Sequence, residues 1–142
     1  MPATSALPPA LLQAYRETDY TVCANPAFVL RIDASCPPLA AYCAQRSLSA
    51  ACILTAWNPQ SQPLTDAENQ ARQARLEQQL QQAGWHWVPT LAAHPHNGWP
   101  PEPGCFIEGM TADAASAWGR RHDQNAVVCC GPDAVARLVL LR

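Results

Sequence analysis

The feature that most constrains this chain is a pair of segments at its centre. Residues 51–57 (ACILTAW) form a nearly continuous apolar run, and a helix with clear start and stop signals follows closely. Such a run suits a central strand covered on both faces. Thr65-Asp66-Ala67-Glu68 spells a capping box, with Glu68 placed to reach back to the Thr65 amide. Gly84 supplies the stop. Leu76, Leu80 and Ala83 form the apolar stripe of this helix, and the spacing of Asn69 from Leu76 puts an amide on the same inward face.

The flanking sequence extends this strand–helix unit. Residues 85–88 read as a strand, 89–104 as a long proline-rich loop, and 105–108 as a short strand. A helix over 111–122 is capped by Thr111, with Arg120, Arg121 and His122 at its negative end. Strands over 126–130 and 135–141 are separated by Gly131-Pro132-Asp133. Upstream come a short helix over 7–16, then strands over 18–23 and 28–32 joined at Asn25-Pro26, then a helix opened by Pro37 and Pro38. From 51 to 130 the order is strand, helix, strand, strand, helix, strand. The expectation is a single α+β domain with a split βαβ, ferredoxin-like core. It divides into an N-terminal arm and helix (1–16), a hairpin plus helix (18–47), the core (51–130) and one extra C-terminal strand (134–141).

Composition removes whole classes of chemistry. All nine basic residues are arginine, so there is no lysine for a Schiff base, a pyridoxal-phosphate anchor or a phosphate loop. The arginines are scattered along the sequence, which argues against general nucleic-acid binding. No apolar run is long enough to span a membrane, and the first residues lack a signal-peptide pattern, so the expected location is the cytoplasm. The seven cysteines form no C-x-x-C pair and are read as reduced core thiols. Cys129 and Cys130, adjacent in a strand, should point to opposite faces, which argues against a redox pair. No serine sits in a G-x-S-x-G elbow.

One ordered set of short motifs goes further. Residues 53–69 read ILTAWNPQSQPLTDAEN, followed later by Trp99-Pro100-Pro101-Glu102 and Gln124-Asn125-Ala126. This set resembles the bacterial domain-of-unknown-function family 3293, whose pattern runs T-A-x-N-P-x-S, E-N, W-P-x-E and Q-N-A. The resemblance implies a compact α/β domain and supplies no reaction. The chain departs from the pattern at Asp123, where glycine is usual, and at Cys129–Cys130; His94 and His96 are also peculiar to it.

Chain order brings these motifs together. If the strand ending at Trp57 points to the top of the sheet, the next helix descends and the strand at 85–88 climbs. The 89–104 loop is then at the top, as is the start of the strand at Gln124. Trp57, Asn58, Ser61, Asn69, Trp99, Glu102, Gln124 and Asn125 are therefore expected at one end of the sheet, beside a helix N-terminus, where α/β proteins commonly place ligands. Amides, one carboxylate and two tryptophans suit a small polar ligand with a flat or apolar part. Glu102 is the candidate general base if chemistry occurs, although a two-carboxylate mechanism lacks its second member. The alternative is a protein-interaction module in which the motif only braces the fold: Asn58-Pro59 shapes a turn, Asn69 supports it, and the tryptophans are core. His94-x-His96 shares a loop with Glu102 and Cys105 but has no metal-site spacing, so neither metal nor cofactor is expected. Oligomeric state is not legible.

Overall fold

The computed structural model describes residues 6–142, so residues 1–5 of the expected N-terminal arm lie outside the described chain. The elements are α1 (Pro9–Glu17), β1 (Asp19–Val22), β2 (Phe28–Leu30), α2 (Pro37–Arg46), β3 (Ala51–Leu54), a 3-10 turn (Pro59–Ser61), α3 (Asp66–Gln82), β4 (Trp87–Ala93), β5 (Glu102–Glu108), α4 (Ala112–Arg121), β6 (Ala126–Cys130) and β7 (Ala136–Leu140). The strands form one seven-stranded sheet in the order β2-β1-β4-β5-β3-β6-β7, antiparallel at every pairing. The fold is α+β.

Alternation along each strand feeds two cores. On one face Val22, Ile53, Phe106 and Val128 pack with Leu39 of α2. On the other, Cys52, Leu54, Ile107 and Val127 pack with Leu76 and Leu80 of α3 and Ala115 of α4. Every residue of β3 is buried, as its apolar run requires. The sheet also curls, because the chain just beyond β2 bridges to the opposite edge strand: Ile32 pairs with Ala136, and the Asp33 amide donates to the Ala136 carbonyl at 2.7 Å. The α2 face thus becomes the concave one.

The capping box forms as its letters dictate. The Glu68 amide donates to Thr65 Oγ1 at 3.2 Å, and the Thr65 amide reaches Glu68 Oε1 at 3.4 Å. Replacing Thr65 with alanine is expected to lower the unfolding free energy by about 1 kcal/mol, read from chemical denaturation. An unchanged midpoint would mean that the cap contributes nothing to the folded chain.

Several expectations need correction. β4 and β5 each run for seven residues, so the expected long loop shrinks to 94–101. Pro89 and Pro103, both inside the expected proline-rich loop, lie within these strands. Proline lacks only the donor, and both carbonyls are used: Pro89 accepts from the Cys23 amide at 2.9 Å and Pro103 from the Thr55 hydroxyl at 2.7 Å. β3 stops at Leu54 because the next hydroxyl, Thr55 Oγ1, turns back to accept the Trp57 amide at 3.0 Å. On α3, Ala83 is exposed at the C-cap, and the buried stripe instead contains Gln73. All seven cysteines are free thiols, and Cys129 and Cys130 do fall on opposite faces. Cys23, however, is exposed rather than core. No helix among the described residues is long and apolar enough to cross a membrane.

Candidate functional site

The site begins where β3 gives out. Asn58 adopts a left-handed backbone with φ 43°, a conformation asparagine tolerates better than most residues. Its polar groups then hold three elements together. Its amide N–H donates to Asn69 Oδ1 at 2.8 Å, and its Oδ1 accepts from Asn69 Nδ2 at 2.8 Å and from the Leu64 amide at 3.0 Å. Its Nδ2 donates to Glu102 Oε1 at 2.7 Å. One turn further along α3, Gln73 accepts the Ala56 amide at 3.0 Å. The two inward amides of α3 therefore pin the chain as it leaves the sheet, and Asn58 in turn positions Glu102.

Glu102 opens β5 and also accepts from Trp99 Nε1 at 3.4 Å. Burial pushes its carboxyl above the ordinary carboxylate range, and the two donors from Asn58 and Trp99 pull in the other direction. Across the gap, Gln124 Nε2 donates to the carbonyls of Trp57 and His122, both at 3.3 Å. Asn125 Nδ2 donates to Tyr15 Oη at 3.0 Å and to Ser61 Oγ at 3.4 Å, and those two hydroxyls are 2.5 Å apart.

These groups surround a cavity of about 220 Å³ between α1 and the concave face of the sheet. Ile53, Ala92, Val128 and Leu138 give it an apolar floor, and Leu11 and Ala14 of α1 cover it. Trp57, Asn58, Ser61, Trp99, Glu102, Gln124 and Asn125 all line it, whereas Asn69 does not. Asn69 is 1% exposed and lies behind Asn58 as a positioning residue.

Most polar side-chain groups of the buried and half-buried lining residues are already used by the protein, but five atoms are not. Glu102 Oε2, Gln124 Oε1, Asn125 Oδ1, Thr90 Oγ1 and Trp57 Nε1 have no hydrogen-bond partner among the described residues, and no sealed side-chain nitrogen or oxygen there lacks one, so all five reach open space. Thr90 and Glu102 share one face of the paired strands β4 and β5, since Thr90 opposes Gly104 and Ala92 opposes Glu102.

The sequence reading missed Tyr15, Tyr20 and Thr90 at this cavity. Thr90 was hidden by the early loop assignment. Tyr15 had a signal, because it follows Leu11 by four residues on one helix face. The histidine pair lies in the 94–101 loop. His94 Nδ1 accepts the His96 and Asn97 amides, each at 3.0 Å, and Cys105 is buried on the opposite face of the sheet. Among the described residues no group of three or more His, Cys, Asp or Glu is placed to hold a metal ion.

Scatter in sequence is also not scatter in space. Arg72, Arg75 and Arg121 line a second, open depression beside His122. Burial and these three cations hold the His122 imidazole below its ordinary pKa.

A family model described as "Protein of unknown function (DUF3293)" matches residues 54–127, more than half of the chain. The chain belongs to this family. No curated protein and no solved structure matches it. The DUF3293 match begins at the end of β3 and closes within β6. It therefore covers Asn58, Asn69, Gln73, Thr90, Glu102 and Gln124. The α1 side of the cavity, with Leu11, Ala14 and Tyr15, lies outside it.

Proposed function

We propose that this member of the DUF3293 family binds a small polar ligand with a flat or apolar part in the cavity at the end of its sheet. One observation carries the reading. Amid a lining largely paired within the protein, Glu102 Oε2, Gln124 Oε1, Asn125 Oδ1, Thr90 Oγ1 and Trp57 Nε1 have no partner among the described residues and sit above an apolar floor. Buried polar groups normally find partners, so a cluster left open in a concave apolar cavity is the ordinary mark of a binding site. Trp57, Asn58, Ser61, Trp99 and Asn125 complete the wall, and Asn69 acts from behind it.

Binding is placed ahead of catalysis. Among the described residues Glu102 is the one carboxylate lining the cavity, so it is the group that would move a proton, with no second carboxylate there to share an acid/base cycle. The rival reading, an interaction module, draws on the Asn58–Asn69 brace and on Val29 and Leu91. Each of these is 41% exposed, and they flank Thr21 on the convex face of the sheet edge.

The same reading takes β3-α3-β4-β5-α4-β6 as a ferredoxin-like split βαβ core, since β5 lies between β3 and β4 and β3 lies between β5 and β6. Seven free cysteines suit the reducing cytoplasm of a bacterial cell.

Native mass spectrometry of freshly purified protein tests the function. The expected result is a retained small-molecule adduct that disappears in Glu102→Gln. An adduct unchanged by that substitution, or a bare protein mass at low ionic strength, would contradict the proposal.

A further inference from the structure

We propose that the ligand is an organic cation, with an ammonium or amidinium group at Glu102 and a flat apolar body on the cavity floor. The inference deepens the binding-site reading and rests on it.

The charges on the cavity wall are of one sign. Among the described residues Glu102 is the carboxylate of the lining and no arginine lines it; the lining histidine, His94, uses Nδ1 to accept two amides and faces the Glu17 carboxylate with Nε2, and the chain has no lysine. A carboxylate or phosphate entering here would meet a partly buried negative charge with no arginine or lysine of the described lining to offset it. A protonated amine would meet the opposite.

The free polar atoms point the same way. Two carbonyls, of Trp57 and His122, accept from Gln124 Nε2 and so fix which way that amide faces. Its Oε1, an acceptor, is the atom left for a ligand. Glu102 Oε2 is likewise an acceptor, and the Thr90 hydroxyl can rotate to accept as well. Asn125 Oδ1 adds a further open acceptor, and against these four the Trp57 indole N–H is an open donor. The mainly accepting set calls for a ligand rich in N–H donors, and the charge of Glu102 favours one that is ionised.

Aromatic rings reinforce the choice. Trp57, Trp99, Tyr15 and Tyr20 all line the cavity, and the Trp99 indole is tied to the same carboxylate oxygen that Asn58 holds. Aromatic rings in the same cavity as a carboxylate add an attraction for organic cations through the ring faces they present to a ligand. The apolar floor of Ile53, Val128 and Leu138 then takes the uncharged part of the molecule.

The test uses isotopically labelled full-length protein and matched probes that differ only in charge: tryptamine against indole-3-propionate, and phenethylamine against 3-phenylpropionate, with 3-ethylindole as the neutral control. Titrations follow the indole N–H signals of Trp57 and Trp99 and the side-chain amide of Gln124. The amines are expected to shift these signals with affinities at least about tenfold tighter than their carboxylate partners. Glu102→Gln should abolish that preference while leaving the spectrum folded. Carboxylates or the neutral indole binding as well as the amines would overturn the cation assignment and leave the ligand site standing. Failure of every probe to move these signals would overturn the site itself.

Discussion

Replacing Asn69 with alanine should lower the unfolding free energy by about 3 kcal/mol, the upper part of the range for stranding a buried hydrogen-bonding group. The Asn69 side chain is the partner of the Asn58 amide and of Asn58 Oδ1, at 2.8 Å in both cases, in a place where water has almost no access. Alanine leaves the Asn58 N–H with nothing to donate to and opens a void at the start of α3. It also frees the residue that holds Glu102 in place, so ligand affinity should fall with stability. Chemical denaturation gives the first quantity and titration the second. A loss under about 1 kcal/mol would mean that water replaces the amide and that the brace is dispensable.

A comparable loss, about 2–3 kcal/mol, is expected for Gly104→Ala. A methyl group at this position would sit 2.7 Å from Thr90 Oγ1 and 2.9 Å from the Leu54 carbonyl. The threonine hydroxyl can swing away, but the Leu54 carbonyl is main chain in the central strand and cannot move without disturbing its pairing with β5. Gly104 thus permits β3 and the Thr90 side chain to approach it closely, next to the cavity. A wild-type denaturation midpoint in the variant would show that the strands are looser there.

Local chemistry made much of this legible from sequence. The apolar run of β3, the Thr65–Glu68 box, the Thr111 cap and the phase of Asn69 all report forces acting within a few residues of one another. Chain direction alone carried Asn58, Glu102 and Gln124 to one end, because short connections leave little freedom over which end of a sheet a segment occupies. What stayed hidden depends on distant partners. Pro89 and Pro103 lie in strands because their carbonyls meet Cys23 and Thr55. The bridge from Ile32 to Ala136 that curls the sheet joins residues far apart in sequence, and no local pattern announces it. The cavity needs both that curl and the placement of α1 across it, so its floor and its Tyr15 side could not be read from the motifs. Asn69 was placed on the correct face, but its side chain serves Asn58 rather than the cavity.

On the binding-site proposal, Glu102 keeps its charge for a ligand and at the expense of the fold. Equilibrium denaturation of wild type and Glu102→Gln from about pH 4 to about pH 7 tests this most directly. Burial raises the carboxyl pKa in the folded protein, so the folded state binds the proton more tightly than the unfolded state does. The stabilisation this brings is fully present below the unfolded value and is lost as pH rises through the folded one. Nearby Tyr20 stays protonated throughout, since burial and the neighbouring Tyr15 hold its hydroxyl far above the ordinary tyrosine pKa. Glutamine does not titrate, and its Oε1 still accepts from Asn58 and Trp99. The variant should therefore match wild type in acid and become the more stable of the two as pH approaches neutrality. A variant less stable than wild type near pH 7 would contradict the account and make the carboxylate a brace of the fold.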